Sequence, residues 1–365
     1  MSVLSRLPRP AAACAVAAIT VSVALAGCAK SEDDGASSSS GSADSSAGAQ
    51  VVKPAATEGP QCTLETYGAK KIALKDATVG FSQSEKEDNP FRIAETESIE
   101  SAAKDAGVRK FIKTNAQTQL SKQISDIQDL LAQGANVLIV APLNSDGLEP
   151  ALAAAKAKGV PVLTVDRKLN AAACSDYVAF LGSDFTEQGK RAADAMIEAT
   201  GGKGKVAVLL GSSGNNVTTE RTKGFVDQVK AEAPDLEIVA QQTGDFARDK
   251  GQQVTEQLLQ SNSDLTAIYA ENDEMGLGAL AAIRGAGKTP GKDVKIVSID
   301  GTRNAVQEIV KGDYNGVIES NPRFGPLAFQ TLETFLSGKP VSDEVVIEDR
   351  DYTPDNAKSE LDSAF

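Results

Sequence analysis

Polar and charged side chains stand at points of the chain where apolar runs end. The clearest case is Asp166 and Arg167, which directly follow the apolar run 160–165. An aspartate accepts hydrogen bonds and an arginine donates several in a rigid fork, so together they suit the hydroxyl groups of a sugar. Taken alone, such a pair is more often an ion pair that only ends a surface strand.

The same placement recurs along the chain. Each residue alone is more often a cap or turn residue, but ligands of open α/β sheets bind just outside the carboxyl ends of the strands. Aromatic faces, which suit the C–H patches of a sugar, accompany the polar groups, although core packing explains each phenylalanine equally well. The residues with this placement are Ser82, Gln83, Glu85, Asn89, Phe91, Arg92, Arg221, Asp245, Phe246, Asn272, Asp273 and Asp300.

The composition argues against most enzymes. The chain has no histidine, which removes histidine-based triads and the commonest transition-metal ligand. Paired carboxylates such as Asp245 and Asp273 leave a glycosidase as a remote alternative. A net charge of −13 disfavours nucleic-acid binding. We therefore expect a non-enzymatic protein without catalytic residues, cofactor or metal ligands.

Short apolar strands alternate with amphipathic helices from Ala77 onward. Examples are a strand over 77–82, a helix over 90–106 and a helix over 120–133 whose apolar residues share one face. This alternation is typical of right-handed βαβ units and a doubly wound parallel sheet. A second series of the same kind begins near Glu187. The pattern predicts two α/β lobes in tandem.

The N-terminus has the features of a secretory signal. Arg6 and Arg9 precede an apolar run over 11–26, which ends in Leu25-Ala26-Gly27-Cys28. Small residues before a cysteine resemble the lipobox of bacterial lipoproteins, so residues 1–27 are predicted to be a signal peptide and Cys28 the lipid-bearing N-terminus of the mature protein. An uncleaved anchor helix is the alternative. Both place the domain outside the cytoplasm, anchored to the cell membrane.

Residues 28–61 are rich in Ser, Ala and Gly, and we expect a disordered tether because they bury too little apolar surface to offset the entropy of ordering. Two cysteines remain in the folded part, Cys62 and Cys174. In an oxidising compartment an even pair favours a disulfide, with two buried free thiols as the alternative.

At these residues the chain resembles the ribose- and galactofuranose-type sugar-binding proteins of bacterial ABC importers, which are periplasmic binding proteins with the type I fold. The resemblance extends from about Ala77 to Val346. The matching stretches are Val79-Gly80-Phe81-Ser82-Gln83, Thr164-Val165-Asp166-Arg167, Glu220-Arg221-Thr222-Lys223-Gly224-Phe225, Gly244-Asp245-Phe246-Ala247-Arg248, Glu271-Asn272-Asp273-Glu274-Met275 and Ser298-Ile299-Asp300-Gly301.

The resemblance implies two doubly wound parallel-sheet lobes joined by a three-crossing hinge, with crossings near Ser183-Asp184, Ser320-Asn321 and Val345. The N-terminal lobe is expected to comprise 62–183 plus 321–345, and the C-terminal lobe 184–320 plus 346–365. The expected ligand-binding residues are Gln83, Phe91, Arg92, Asp166, Arg167, Arg221, Phe246, Asn272, Asp300 and Glu319.

The implied function is that of a monomeric receptor that closes on a monosaccharide and delivers it to an ABC transporter permease. A sugar chemoreceptor component is an alternative. The related DNA-binding repressors carry an N-terminal helix-turn-helix, whereas this chain has a signal, a tether and an acidic charge, so we expect no nucleic-acid partner.

Three features favour a furanose hexose such as galactofuranose over ribose or a pyranose. Ala141 stands where ribose binders have a ligand-contacting asparagine, and Phe91-Arg92 and Glu319 match the galactofuranose type. Against this, the loop 84–90 is one residue longer than in that type and contains Asn89-Pro90, which is a feature of ribose binders.

Overall fold

The computed structural model describes Pro54–Ala56 and residues 60–365 of the 365-residue chain. The predicted signal peptide, the lipidation site Cys28 and most of the predicted tether lie outside these residues. Helices and strands alternate through most of the described part.

The strands carry the scaffold of the site. In chain order they are β1 (Pro54–Ala56), β2 (Gln61–Cys62), β3 (Thr78–Gln83), β4 (Lys110–Asn115), β5 (Val137–Val140), β6 (Val162–Val165), β7 (Ala179–Gly182), β8 (Gly204–Leu210), β9 (Leu236–Thr243), β10 (Ala267–Ala270), β11 (Lys295–Asp300), β12 (Gly316–Glu319), β13 (Val341–Ser342), β14 (Glu344–Ile347) and β15 (Asp351–Tyr352).

The helices flank these strands, and a short 3-10 helix, Leu74–Asp76, precedes β3. In chain order they are α1 (Leu64–Tyr67), α2 (Pro90–Asp105), α3 (Leu120–Ala132), α4 (Glu149–Ala157), α5 (Phe185–Thr200), α6 (Asn216–Glu232), α7 (Arg248–Ser261), α8 (Asp273–Gly285), α9 (Arg303–Lys311), α10 (Gly325–Leu336) and α11 (Ala357–Glu360).

Two large sheets define two lobes. The first has the spatial order β1-β14-β7-β6-β5-β3-β4, and all its pairs are parallel except β1 with β14. The second has the order β15-β12-β11-β10-β8-β9, in which only β15 pairs antiparallel. β2 and β13 form a separate antiparallel pair. The predicted architecture, two parallel-sheet α/β lobes of the type I periplasmic binding protein fold, is confirmed.

Each sheet is buried between two layers of helices. In the first lobe, α2 and α10 pack on one face, and α3 and α4 on the other. In the second, α5 and α6 cover one face, whereas α7, α8 and α9 cover the other. Continuous burial of β5, β6, β7 and β10 explains their uninterrupted apolar sequences, since a strand covered on both faces has no solvent side.

The chain passes between the lobes three times. It leaves the first sheet after β7, returns after β12, and leaves again between Ile347 of β14 and Asp351 of β15. The third crossing therefore follows β14, a few residues beyond the position near Val345 that the motifs suggested. Val345 itself pairs with Leu181 inside the first sheet.

The N-terminal end of the described chain differs from expectation at two places, Pro54–Ala56 and Gln61, the latter of which pairs with Ser342 in β13. The tether was predicted to be disordered over 28–61, but Pro54–Ala56 forms an edge strand on β14. The physical reason is that the outer edge of β14 offers unpaired backbone groups, and a short segment that pairs with them needs no apolar side chains.

A disulfide joins Cys62 of β2 to Cys174 in the loop before β7, with 5.2 Å between their Cα atoms. The predicted bridge is therefore present, and the alternative of two free thiols is wrong. It encloses a sequence separation of 112 residues. Among the described helices, none is both long enough and apolar enough to cross a membrane.

Candidate ligand-binding site

A cleft between the two lobes collects polar residues from the carboxyl ends of both sheets. About 330 Å³ of its space is not filled by protein atoms, and part of that space is open to solvent. The residues that line it are Glu85, Asn89, Phe91, Arg92, Asp166, Arg167, Val217, Arg221, Phe246, Asn272 and Asp300. Eight of the ten ligand-binding residues predicted from the sequence are in this set.

The lining residues of the first lobe form what we call the first-lobe wall: Glu85, Asn89, Phe91, Arg92, Asp166 and Arg167. Arg92 is at its centre. It lies in the first turn of α2, which begins after the N-cap Asn89, whose side chain accepts a hydrogen bond from the Phe91 amide. Its Nη1 donates to Asp166 Oδ2 at 2.7 Å and to Glu95 Oε2 at 2.8 Å. Because the guanidinium is buried and held by charged acceptors, it enters the cleft in a fixed orientation.

Arg167 lies beside it, after the end of β6. Its Nη1 donates to the Leu143 carbonyl at 2.8 Å, and its Nη2 donates to Glu85 Oε1 at 2.7 Å. Burial disfavours the Glu85 carboxylate, but the charges and hydrogen bonds of Arg167 and Arg92 outweigh burial and lower its pKa to about 2. Glu85 is therefore ionised throughout the physiological range.

The second lobe supplies Arg221, Asn272 and Asp300. Arg221 on α6 donates from Nη1 to the Glu271 carbonyl at 2.5 Å, and the same nitrogen lies 3.9 Å from Asp300 Oδ1. Asn272 caps α8, because its Oδ1 accepts from the Met275 amide, and its Nδ2 donates to the Phe246 carbonyl at 3.2 Å. It thus also holds the loop that carries Phe246.

Asp300 is a buried carboxyl at the end of β11. Burial raises its pKa well above the ordinary value, Arg221 opposes this, and nearby Asp273 and Asp166 add to the rise. A carboxyl in such surroundings can donate a hydrogen bond when protonated and accept one when ionised.

Two phenylalanines border the polar groups. The ring of Phe91 packs edge-on against Phe324 and Phe365, and the Arg92 guanidinium lies 5.0 Å from its centre. The ring of Phe246 lies over Gly211, where an added Cβ would come within 2.0 Å of the ring. Gly211 therefore leaves the space that lets Phe246 point into the cleft.

The backbone is strained where the cleft residues stand. Asp166 (φ 65°), Phe246 (φ 59°) and Asp300 (φ 145°) have positive φ although none is glycine. Such conformations cost about 1 kcal/mol or more each, and they persist where the surrounding structure enforces them for function.

Two predicted residues lie away from the cleft lining. Gln83 is buried behind the first-lobe wall, where its Nε2 donates to Glu95 at 2.9 Å and to Thr96 at 3.1 Å. Glu319 faces the hinge, with its Oε2 3.3 Å from Arg350 Nε, and burial raises its pKa to about 7. Neither side chain belongs to the residues that line the cleft.

Three lining residues were not assigned to the site by the sequence. For Glu85 and Asn89 the sequence did indicate a place in the site, because both follow the end of β3 among other polar residues. Val217 at the start of α6 gave none, since an apolar residue in a helix is normally core. The glycosidase pair is not assembled, because Asp245 is held by Lys250 at the surface and Asp273 by Ser298 and Thr302 in the interior.

The lobes contact each other in this structure. The Ser145 amide of the first lobe donates to the Gly214 carbonyl at 2.9 Å, and its hydroxyl accepts from the Asn216 amide at 3.1 Å. The Lys168 amide donates to Asn216 Oδ1 at 2.9 Å. These contacts, all outside the cleft lining, join the beginning of α6 to the first lobe.

Comparison with known proteins identifies the family of the chain. Residues 79–340 match the family described as the periplasmic binding protein domain. The chain belongs to the periplasmic binding protein family. The resemblance seen in the sequence motifs is thereby confirmed.

Relatives within the family include named sugar-binding proteins. Galactofuranose-binding protein YtfQ of Escherichia coli (strain K12) is 34% identical over 290 residues, covering 78% of this chain and 90% of that protein. Ribose import binding protein RbsB of Bacillus subtilis (strain 168) is 36% identical over 285 residues, covering 78% and 88%. A solved structure from Mycobacterium smegmatis in complex with β-D-fucofuranose is 36% identical, with a TM-score of 0.74 and coverage of 78% and 94%.

The family and these relatives are binding proteins, so this chain is a substrate-binding protein and not an enzyme.

Proposed function

We propose that this protein is a lipid-anchored, extracytoplasmic receptor that captures one monosaccharide and presents it to the permease of an ABC importer. The observation that carries the proposal is the cleft itself. Arginine, carboxyl and phenylalanine side chains from both lobes line one cleft. Sugars need both donors and acceptors for their hydroxyls and an apolar face for their C–H groups.

Closure is the proposed response to the ligand. In the closed form, a sugar can hydrogen-bond Arg92 and Asp166 on one side and Arg221 and Asp300 on the other. It therefore binds the closed form better than the open form. Only this differential affinity shifts the equilibrium towards closure. The inter-lobe contacts of Ser145 and Asn216 would then form together with the sugar contacts.

A furanose hexose of the galactofuranose type is the preferred ligand, with ribose or a pyranose as the alternative. The Phe91-Arg92 pair supports this preference because both residues line the cleft. Glu319 gives no support, since it faces the hinge. Two of the three similar proteins described above are named with furanose sugars.

A thermal-shift screen over monosaccharides tests the proposed function. A ligand that binds only the folded state raises the melting temperature by mass action, so at least one free monosaccharide should raise it in proportion to the logarithm of its concentration. If no pentose or hexose raises the melting temperature, the proposal fails. A crystal grown with galactose that contains a six-membered ring in the cleft would refute only the furanose preference.

The anchor has its own test. Cys28→Ala should abolish labelling of the protein by a radioactive fatty acid, whereas labelling that persists in this variant would contradict the lipidation site.

A further inference from the structure

Glu85 connects the two arginines of the first-lobe wall. Its Oε2 accepts from Arg92 Nε at 2.9 Å, and its Oε1 accepts from Arg167 Nη2 at 2.7 Å. Its backbone carbonyl accepts from Asn115 Nδ2 at 2.7 Å, which holds the loop in place. The carboxylate is largely enclosed, with 15% of its side chain exposed, and it lines the cleft.

Charge in this half of the cleft is balanced by that carboxylate. The two cations, Arg92 and Arg167, are buried, and two lining carboxylates contact them. Asp166 Oδ2 lies 2.7 Å from Arg92 Nη1 and 3.6 Å from Arg167 Nε. Glu95 also contacts Arg92, so three carboxyl groups surround the two arginines and neither arginine lacks an acidic partner.

A balanced wall discriminates between ligand classes. A neutral sugar can accept from the remaining N–H groups and donate to the carboxylate oxygens. A carboxylate or phosphate on the sugar would approach arginines whose charge is already neutralised, and it would face two buried carboxylates of its own sign. Charges near buried groups interact at a lower effective dielectric constant than in water, so that repulsion disfavours the anion.

We propose that Glu85 is a specificity-determining residue that restricts the site to uncharged sugars and rejects sugar acids and sugar phosphates. This inference rests on the proposed function, because it describes the same cleft. It predicts that removing the charge of Glu85, with its shape retained, takes one of three acidic partners from the two buried arginines and opens the site to an anionic sugar.

Glu87 provides a matched control, because it is exposed in the same loop as Glu85. Glu87→Gln therefore removes one carboxylate from the loop without changing the partners of Arg92 and Arg167. Glu95 is not suitable as a control, since it does not line the cleft but accepts from Arg92 Nη1 at 2.8 Å.

The experiment is titration calorimetry of the full mature chain with two matched pairs of probes, D-galactose with D-galacturonate and D-ribose with D-ribose 5-phosphate. For the neutral sugar that the wild type binds, we expect its anionic partner to bind about 100-fold more weakly or worse. Glu85→Gln should narrow that ratio by about tenfold or more, chiefly through tighter binding of the anion. The control variant Glu87→Gln should keep the wild-type ratio.

Three outcomes are distinguishable. If the wild type binds neither neutral sugar, this inference fails, and the proposed function fails with it only if the thermal-shift screen also finds no other monosaccharide that binds. If it binds a neutral sugar and the ratio in Glu85→Gln equals that of the wild type, only this inference is overturned. If Glu85→Gln does not fold, the wild type alone remains decisive, because binding of the anionic partner within about tenfold of the neutral sugar would overturn the inference.

Discussion

Arg221 shows how one side chain serves both the cleft and the lobe that carries it. Its Nη1 donates to the Glu271 carbonyl, its Nε donates to Gln188 Oε1 at 2.9 Å, and its guanidinium lies 5.5 Å from the ring of Phe185. The planar fork lets one residue bond in two directions at once. An ammonium group is a point charge and cannot reproduce this geometry.

Replacement of Arg221 by lysine should therefore weaken sugar binding. We expect Arg221→Lys to lose about 1 to 3 kcal/mol of binding free energy, because a buried hydrogen-bonding partner is lost on each side. Titration calorimetry measures the change. Lys223→Arg is the control, since Lys223 is exposed on the same helix, and unchanged affinity in Arg221→Lys would exclude Arg221 from the site.

At the residue scale, the sequence predicted the position of the candidate site better than the direction of its individual side chains. Asp166, Arg167 and Asp300 were predicted because they stand at or just after the ends of buried strands. The carboxyl ends of parallel strands lie along one edge of a sheet. Gln83 stands at such an end too, but its side chain turns towards Glu95. The direction of a side chain depends on partners distant in sequence, which spacing does not encode.

Helix α5 links the cleft to the hinge. Gln188 on α5 accepts from Arg221 and donates from Nε2 to Asp349 Oδ2 at 2.7 Å, and Asp349 Oδ1 accepts from the Asn321 amide at 3.2 Å. Asn321 and Asp349 lie in the second and third crossings of the hinge. One amide thus connects a cleft arginine with two of the three crossings.

Loss of that amide should affect stability and binding together. In Gln188→Leu the buried Arg221 Nε and the Asp349 carboxylate lose a partner, so we expect the free energy of unfolding to fall by about 1 to 3 kcal/mol and sugar affinity to decrease. Urea denaturation and titration calorimetry measure the two changes. Lys190→Leu, an exposed position of the same helix, is the control, and identical behaviour of the two variants would refute the connection.

The disulfide acts on a different element, the segment that precedes β3. It ties Cys62 of β2 to the loop at Cys174, and neither cysteine lines the cleft. Chain-entropy models put the stabilisation from so long a loop at roughly 4 to 5 kcal/mol as an upper figure. We expect Cys62→Ser/Cys174→Ser to melt at a clearly lower temperature with sugar affinity nearly unchanged. Equal melting temperatures for this variant and the oxidised wild type would contradict the prediction.

At the element scale, the strands and helices were largely predictable, because β5, β6, β10 and their neighbouring helices have strong apolar patterns. The short edge strand Pro54–Ala56 was missed, since its pairing with β14 uses backbone groups and leaves no pattern in the side chains. The third crossing, which the resemblance implied near Val345, lies a few residues later because Val345 and Val346 pair with β7 inside the first sheet.

Across the whole molecule, several carboxyl groups are buried with raised pKa values. Burial raises the pKa of Glu271 and of Glu319 to about 7, and that of Asp273 to about 6. Burial also raises the pKa of Asp300. In the unfolded chain these groups titrate near pH 4. Between about pH 4 and 7 the folded state therefore binds more protons than the unfolded state.

Stability should consequently increase as the pH falls from about 7.5 to 5, because the free energy of unfolding rises with falling pH wherever the folded state binds more protons. The pKa of Glu85 is lowered in the folded state, so its contribution to the free energy of unfolding is lost only as the pH falls below about 4.5. Urea denaturation of the sugar-free protein at pH 5.0, 6.2 and 7.5 measures the trend, and we expect Glu319→Gln to reduce it. A steady loss of stability from pH 7.5 to 5.0 would contradict these assignments.

Both lobes of the molecule contribute to the cleft, and this is the central claim. Asp166 belongs to the first lobe and Asp300 to the second, yet both line the same cavity. A sugar held only by one lobe would depend on one of these residues and be indifferent to the other.

The most direct test is titration calorimetry of the wild type, Asp166→Ala and Asp300→Ala with the monosaccharide that gives the largest thermal shift. We expect one sugar per chain for the wild type, and a loss of roughly 1 to 3 kcal/mol of binding free energy in each variant, since each removes a buried polar partner. Wild-type affinity in either variant would contradict a sugar bound between the two lobes.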